Sequence, residues 1–173
     1  MNVPEALSAW VPGLFDDPAR PLYASAATLS AGGAPDVRTV HVRYAKAWDA
    51  LAFTAHTASP KWSQLKADPR LKLCFFHPRL GLQLRWEAVA RLAEDSADPG
   101  VAALWAATDP WLRTEYGARG RAAAVPAGFG AVRLEVSLWD AYRVDPARPE
   151  EYERAVYRRK AAAWRAEPRS ALR

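Results

Sequence analysis

Two residues apart in the segment "SPKWSQL", Ser59 and Lys61 bring a hydroxyl and an ammonium to what reads as the first turn of a helix, with Pro60 between them at the first helical position. A helix start leaves backbone N–H groups unpaired and carries the positive end of the helix dipole, so the arrangement favours an anion. Upstream, "VRTVHVR" sets Arg38 and Arg43 at the two ends of a strand-like run with His41 between them. Guanidinium groups donate in a planar fork that matches phosphate and carboxylate. Together these residues suit a phosphate group. On residue types alone, a capped surface helix with a solvated lysine and arginines at a strand edge accounts for the same pattern.

Other chemistries find less to work with. The chain has one cysteine, Cys74, which excludes an intramolecular disulfide and a cysteine-cluster metal site, and its place in the apolar run "LKLCFF" reads as a buried structural thiol. His41, His56 and His77 are not at close metal-ligand spacing, and no metal is expected. No P-loop, G-x-G-x-x-G fingerprint or G-x-S-x-G elbow is present. The formal net charge of +5 invites a nucleic-acid reading, but the excess sits in the final segment, where carboxylates are interspersed among arginines as on a solvated helix face or a dimer contact. No nucleic-acid motif supports that reading, so nucleic-acid binding is kept only as a lesser alternative. The amino-terminal stretch lacks the positive n-region of a signal peptide, and no apolar run approaches the ~20 residues that span a bilayer. A soluble, cytoplasmic protein with no membrane partner is the expectation.

These residues need elements to hold them. With 173 residues and a globular balance of 50% hydrophobic and 25% charged, the chain suits a single domain, 1–173. Residues 4 to about 14 read as a short amphipathic helix, with Ala6, Leu7, Trp10 and Leu14 at helical spacing. "LYASAATLS" and "VRTVHVRY" read as a hairpin about the turn "AGGAPD", followed by a strand in "WDALAFTAHT". Ser59 and Pro60 open a helix that Asp68, before a proline, closes. "RLKLCFFHP" and "LGLQLRWEAVARLAED" give two more strands, the second with Leu82, Leu84, Trp86, Ala88 and Ala90 on one face. A helix in "VAALWAAT", the aromatic "DPWLRTEYG", a long strand "FGAVRLEVSLWDAYRV" and a helix from about Pro149 complete the order. The expected fold class is α+β, mainly β: an antiparallel small barrel with short peripheral helices and a C-terminal helix.

Three blocks, "PLYASAATLSAGGAPDVRTVHVR", "LAFTAHTASPKWSQLKADPRLKLCFF" and "LQLRWEAVARL", occur in the order and spacing of the pyridoxamine 5′-phosphate oxidase-like, FMN-binding split-barrel family, which the chain resembles from about residue 10 to residue 93 and more loosely from Trp139 onward. The resemblance implies a split β-barrel that binds FMN. It implies Arg38 on the FMN phosphate and Thr39, Val40 and His41 beside the isoalloxazine ring, with the block running through Val42 to Arg43 at the substrate pocket or a second phosphate contact. It further implies Phe53 and Thr54 at the end of the next strand, Ser59 and Lys61 at the helix start, and Gln83 reaching the flavin from a later strand. A strand backbone and an amide at the ring edge are what a flavin needs from a protein.

The chain departs from the family pattern in two places. Pro60 stands where a second cation often precedes the lysine, and the C-terminal "VYRRKAAAW" carries Arg158 and Arg159 without the histidine of the family's Arg-x-His motif. The resemblance also implies a homodimer with the flavin at its interface, and Trp86, Trp105, Trp111, Trp139 and Trp164 are either interface aromatics or core. Trp111 or Tyr116 is placed to cover the flavin's exposed face. The expected function is an FMN-dependent oxidoreductase acting on a small molecule, with no protein acid or base assigned. The alternatives are a flavin-binding or storage protein without turnover, a haem or deazaflavin ligand in place of FMN, and the basic nucleic-acid module.

Overall fold

The structure is a computed structural model that describes residues 3–8, 22–117, 124–161 and 163–167. Its first hairpin joins β1 (Leu22–Leu29) to β2 (Pro35–Ala45). The turn is closed by Gly33 N–H donating to Ser30 O at 2.9 Å, with Gly33 at φ 80, a backbone conformation that glycine adopts without Cβ conflict. β3 (Ala50–His56), β4 (Arg70–His77), β5 (Leu82–Ala93) and β6 (Phe129–Asp145) follow. The sheet order is β3-β2-β1-β4-β5-β6, and a further β3–β6 pairing closes these strands into a barrel. Closure removes the exposed strand edges that an open antiparallel sheet would present.

Alternation along each strand fills the lumen. Ala24, Ala26, Val40, Val42, Leu73, Leu84, Trp86, Leu134 and Trp139 are all buried in one cluster, and the Trp86 and Trp139 rings meet at 5.0 Å between centroids. The helix α1 (Glu5–Ser8) adds Leu7 to this core, and α2 (Pro60–Ala67) adds Trp62 and Leu65. Gly130 makes the Trp62 position possible, because a Cβ there would overlap the indole ring. The helix α3 (Pro99–Ala106) builds a second cluster on the outer face, laying Val101, Leu104 and Trp105 over Ala45, Ala52, Phe129 and Ala131. Asp98 caps it, accepting from Gly100 N–H at 2.7 Å and from Trp48 Nε1–H at 2.9 Å. A single-turn helix, α4 (Pro110–Arg113), continues into a tight turn over Thr114–Tyr116.

Three expectations change or resolve, and a fourth is only partly within the described residues. The C-terminal segment is not a helix: β7 (Arg148–Lys160) and β8 (Ala163–Ala166) extend the sheet beyond β6. The outer edge of the long β6 offers a row of backbone donors and acceptors, and β7 satisfies them from Leu138 to Asp145, which outweighs the helical preference of a charged, alanine-containing run. Cys74 is half-buried, not buried, since its side chain leaves the lumen between Leu73 and Phe75. The tryptophans divide: Trp86, Trp105 and Trp139 are core, Trp164 packs against the core, and Trp111 alone of the five is exposed. The amino-terminal helix spans Glu5–Ser8, and the positions of Trp10 and Leu14 lie outside the described residues. Among the described residues no helix is long and apolar enough to cross a membrane.

Candidate functional site

β2 is long enough to belong to two ladders, and the site lies where it leaves one of them. Its pairing with β3 comprises Arg43↔Ala52, Tyr44↔Leu51 and Ala45↔Ala50. From Val42 back to Pro35 it pairs with β1 alone, while Phe53 to His56 of β3 pair with β6. The two strands therefore splay, leaving one backbone edge of residues 38–42 without a ladder partner. Strand alternation turns Thr39 and His41 outward beside that edge, and Thr54 and His56 outward from β3.

A cleft of about 360 Å³ occupies the splay. Thr39, Val40 and His41 form one wall and Thr54, Ala55 and His56 the other. Lys61 closes one end from the first turn of α2, and Leu112, Glu115 and Tyr116 roof it from the segment after α3. This size falls in the range of small-molecule and cofactor sites.

The start of α2, beside Lys61, has an unsatisfied hydroxyl, although Ser59 does not itself line the cleft. Ser59 occupies the N-cap position of α2 with extended backbone, as its sequence position predicts, but its side chain makes no cap bond. Its Oγ is buried without a hydrogen-bond partner among the described residues. Burying a hydroxyl unpaired is unfavourable, so a buried orphan of this kind calls for a ligand or water. Next to it Lys61 is half-buried, and burial, with Arg38 adding to it, pushes the ammonium pKa below its ordinary 10.5 while Asp36 opposes the shift. An ammonium held at such a position gains from a negative partner.

Arg38 is close enough to act on Lys61, but it also has structural partners. Its guanidinium donates to Thr28 Oγ1 at 2.5 Å and Gln64 Oε1 at 2.8 Å, and pairs with Asp36 at 2.6 Å. It thus clamps α2 to the β1–β2 hairpin. The other predicted residues fall in four groups. Thr39, Val40, His41, Thr54 and Lys61 share the cleft. Val42 and Phe53 point into the barrel core, so their side chains support the walls from behind. Arg43 is buried, pairs with Asp109 at 3.4 Å, and lines a neighbouring cleft of about 740 Å³ on the other side of α4. Gln83 is away from the 360 Å³ cleft: on β5 opposite Phe76 and Tyr142, it donates to Cys74 Sγ at 3.5 Å.

His41, in the cleft wall, carries another buried atom of this kind. Its Nδ1 is buried without a hydrogen-bond partner among the described residues, its ring takes the Tyr23 ring edge-on at 4.4 Å, and Trp111 lies 6.3 Å away. Burial lowers its pKa from the ordinary 6.5, Arg43 lowers it further, and Asp109 opposes. Tyr116 shifts the other way: burial raises its phenol, the hydrogen bond with Thr54 opposes, and Glu115 adds to the rise. His56 is the site residue that the sequence pattern missed, although the period of two from Thr54 puts it on the same face. Its Nδ1 accepts from Ala58 N–H at 3.0 Å, and its ring lies parallel to Tyr116 at 5.8 Å. The arrangement offers an anion pocket at one end, a free strand edge along a flat wall, and an aromatic roof.

Residues 16–167 match the sequence profile of the pyridoxamine 5′-phosphate oxidase family. A pyridoxine/pyridoxamine 5′-phosphate oxidase of Bordetella avium is 31% identical over 153 residues, which cover 82% of this chain and 68% of that protein. One of Anaeromyxobacter dehalogenans is 45% identical over 76 residues, 43% of this chain and only 38% of that relative's length. Among solved structures, a pyridoxamine 5′-phosphate oxidase-related, FMN-binding protein of Nostoc punctiforme superposes with a TM-score of 0.73 at 24% identity, covering 86% of each chain.

Proposed function

Starting from a chain that belongs to the pyridoxamine 5′-phosphate oxidase family, we propose that it binds FMN non-covalently and acts as an oxidoreductase on a small molecule. The observation that carries the reading is the buried, unpartnered Ser59 Oγ beside half-buried Lys61 at the amino end of α2. A phosphate there accepts from the Ser59 hydroxyl, from the Lys61 backbone N–H and from the Lys61 ammonium, with Arg38 adding positive charge behind them. The ring follows β2, where the unpaired edge of residues 38–42 offers backbone donors and acceptors. FMN, when bound, supplies two-electron redox chemistry, and the protein supplies position and electrostatics. Tyr116 and Leu112 exclude water from the roof, and Thr54 holds the Tyr116 hydroxyl in place.

The substrate side of the reading follows from Arg43. A buried guanidinium two residues along β2 from His41 favours the anionic end of a small molecule, which would compete with Asp109 for it while its reacting end lies at the flavin cleft. Oxidation of a vitamin B6 phosphate is not part of the proposal, because the segment "VYRRKAAAW" carries Arg158 and Arg159 without the histidine of the family's Arg-x-His motif.

The reading also includes a homodimer. Tyr23 (57% exposed), Val37 (61%) and Phe76 (61%) form an apolar outer face on β1, β2 and β4, next to Gln83. Because Gln83 does not line the cleft of its own chain, its contact with a flavin is assigned to the second copy.

The test is an absorption spectrum of the protein after reconstitution with FMN and removal of free cofactor, followed by anaerobic addition of NADH, NADPH and pyridoxamine phosphate. Flavin retained at about one per chain and reduced by one of these supports the oxidoreductase. Retained flavin that none of them reduces favours a binding protein without turnover. Failure to retain flavin, with haem or a deazaflavin bound in its place, overturns the cofactor assignment.

A further inference from the structure

We propose that the His41 imidazole is a catalytic proton acceptor of the site, taking the proton that a substrate releases as it is oxidised. The inference rests on the flavin reading above and adds to it a residue with a chemical role.

The cleft contains few groups able to do this. Lys61 is at the anion end, at the start of α2. The Tyr116 phenol is hydrogen-bonded to Thr54 and its pKa is raised, so it stays protonated near neutrality. His56 already uses Nδ1 to accept from Ala58 N–H. Glu115 is exposed at the roof. His41 differs from all of them, because it stands on the wall beside the unpaired edge of β2 and holds a buried nitrogen with no partner among the described residues. A buried imidazole nitrogen left unpaired is unfavourable unless something bonds to it in use.

The groups packed around His41 favour a neutral, proton-accepting ring. Tyr23 comes from β1, Arg43 from β2, and Asp109 and Trp111 from the start of α4. Burial and the Arg43 charge both disfavour the imidazolium, and Asp109 offsets them in part. A neutral ring near physiological pH is a competent general base. For a substrate whose C–H bond lies next to an O–H or N–H, the step balances as follows. Hydride leaves carbon for the flavin, the proton leaves the heteroatom for His41, and a C=O or C=N bond forms. The substrate loses two electrons and the flavin gains two; His41 later returns its proton to solvent.

The test uses the full-length protein and two readouts that do not depend on turnover. Imidazole nitrogen NMR is recorded with and without FMN, and the midpoint potential of bound FMN is followed against pH in wild type, His41→Asn and His41→Phe. The expected results are a displaced His41 Nδ1 resonance on FMN addition and a break in the wild-type potential below pH 6.5 that both variants lose. A histidine with only a structural role would change FMN affinity or folding but not the break. An unmoved resonance, or a break that survives both substitutions, overturns the role of His41 while the flavin reading stands. Failure of wild type to retain FMN removes the flavin reading itself. Should the variants not fold, the wild-type NMR decides alone.

Discussion

At the scale of single residues, the two cations near α2 perform different tasks. Among the described residues Lys61 makes no hydrogen bond or ion pair through its ammonium, so Lys61→Ala is expected to leave the fold intact and to weaken FMN binding by the worth of a charge-assisted hydrogen bond, about 1.5–3 kcal/mol, or roughly 10- to 100-fold in Kd. Fluorescence titration against wild type checks it, and unchanged affinity would move the phosphate elsewhere. Arg38→Ala is expected to weaken binding and also to lower Tm, because Thr28, Gln64 and Asp36 lose their shared partner. The Lys61 ammonium has a pKa below 10.5 before ligand binds, and a bound phosphate raises it. FMN affinity is therefore expected to fall as pH rises through that lowered value, and titrations from neutral to alkaline pH would reveal the decline. His41 titrates lower in the folded chain than the ordinary 6.5, so the unfolded chain binds more protons below that pH. Its contribution to stability is fully present above pH 6.5 and is lost as pH falls below it. Wild type should lose more stability than His41→Phe over that window in parallel denaturant melts.

At the scale of elements, the roof of the cleft depends on the capping of α3. Asp98 accepts from Gly100 N–H and from the Trp48 indole, tying the helix to the turn after β2. Asp98→Ala is expected to cost about 1–2 kcal/mol as a lost N-cap and to loosen the Leu112–Tyr116 roof, read as a lower Tm together with faster FMN release. Helix starts, turns and strands were legible in the sequence because they depend on local chemistry: Pro60 at a first helical turn, Gly33 in the "AGGAPD" turn, and the period-two run Leu82 to Ala90. The β7–β8 hairpin was not legible. Its Arg, Glu and Ala residues favour a helix locally, and only the open edge of β6 makes an extended strand the better solution.

At the scale of the molecule, the closed barrel leaves one outer face apolar, and the proposed dimer covers it. Phe76→Glu is expected to shift the sedimentation behaviour from dimer to monomer and to reduce FMN retention at the same time, since a second copy's Gln83 would be removed together with the contact. A dimer unaffected by this change would place the interface on another face. The order of strand and helix blocks, the anion-favouring start of α2 and the match to a flavin-binding family were determined by the sequence itself, because each depends on residue types at short, fixed spacing. Which of the named residues meet was decided only by tertiary structure. Splaying of β2 from β3 brings Thr39, His41, Thr54 and Lys61 to one cleft and adds His56 to it. Barrel closure sends Val42 and Phe53 into the core and Gln83 to another face, because closing a sheet fixes which side of every strand is inside.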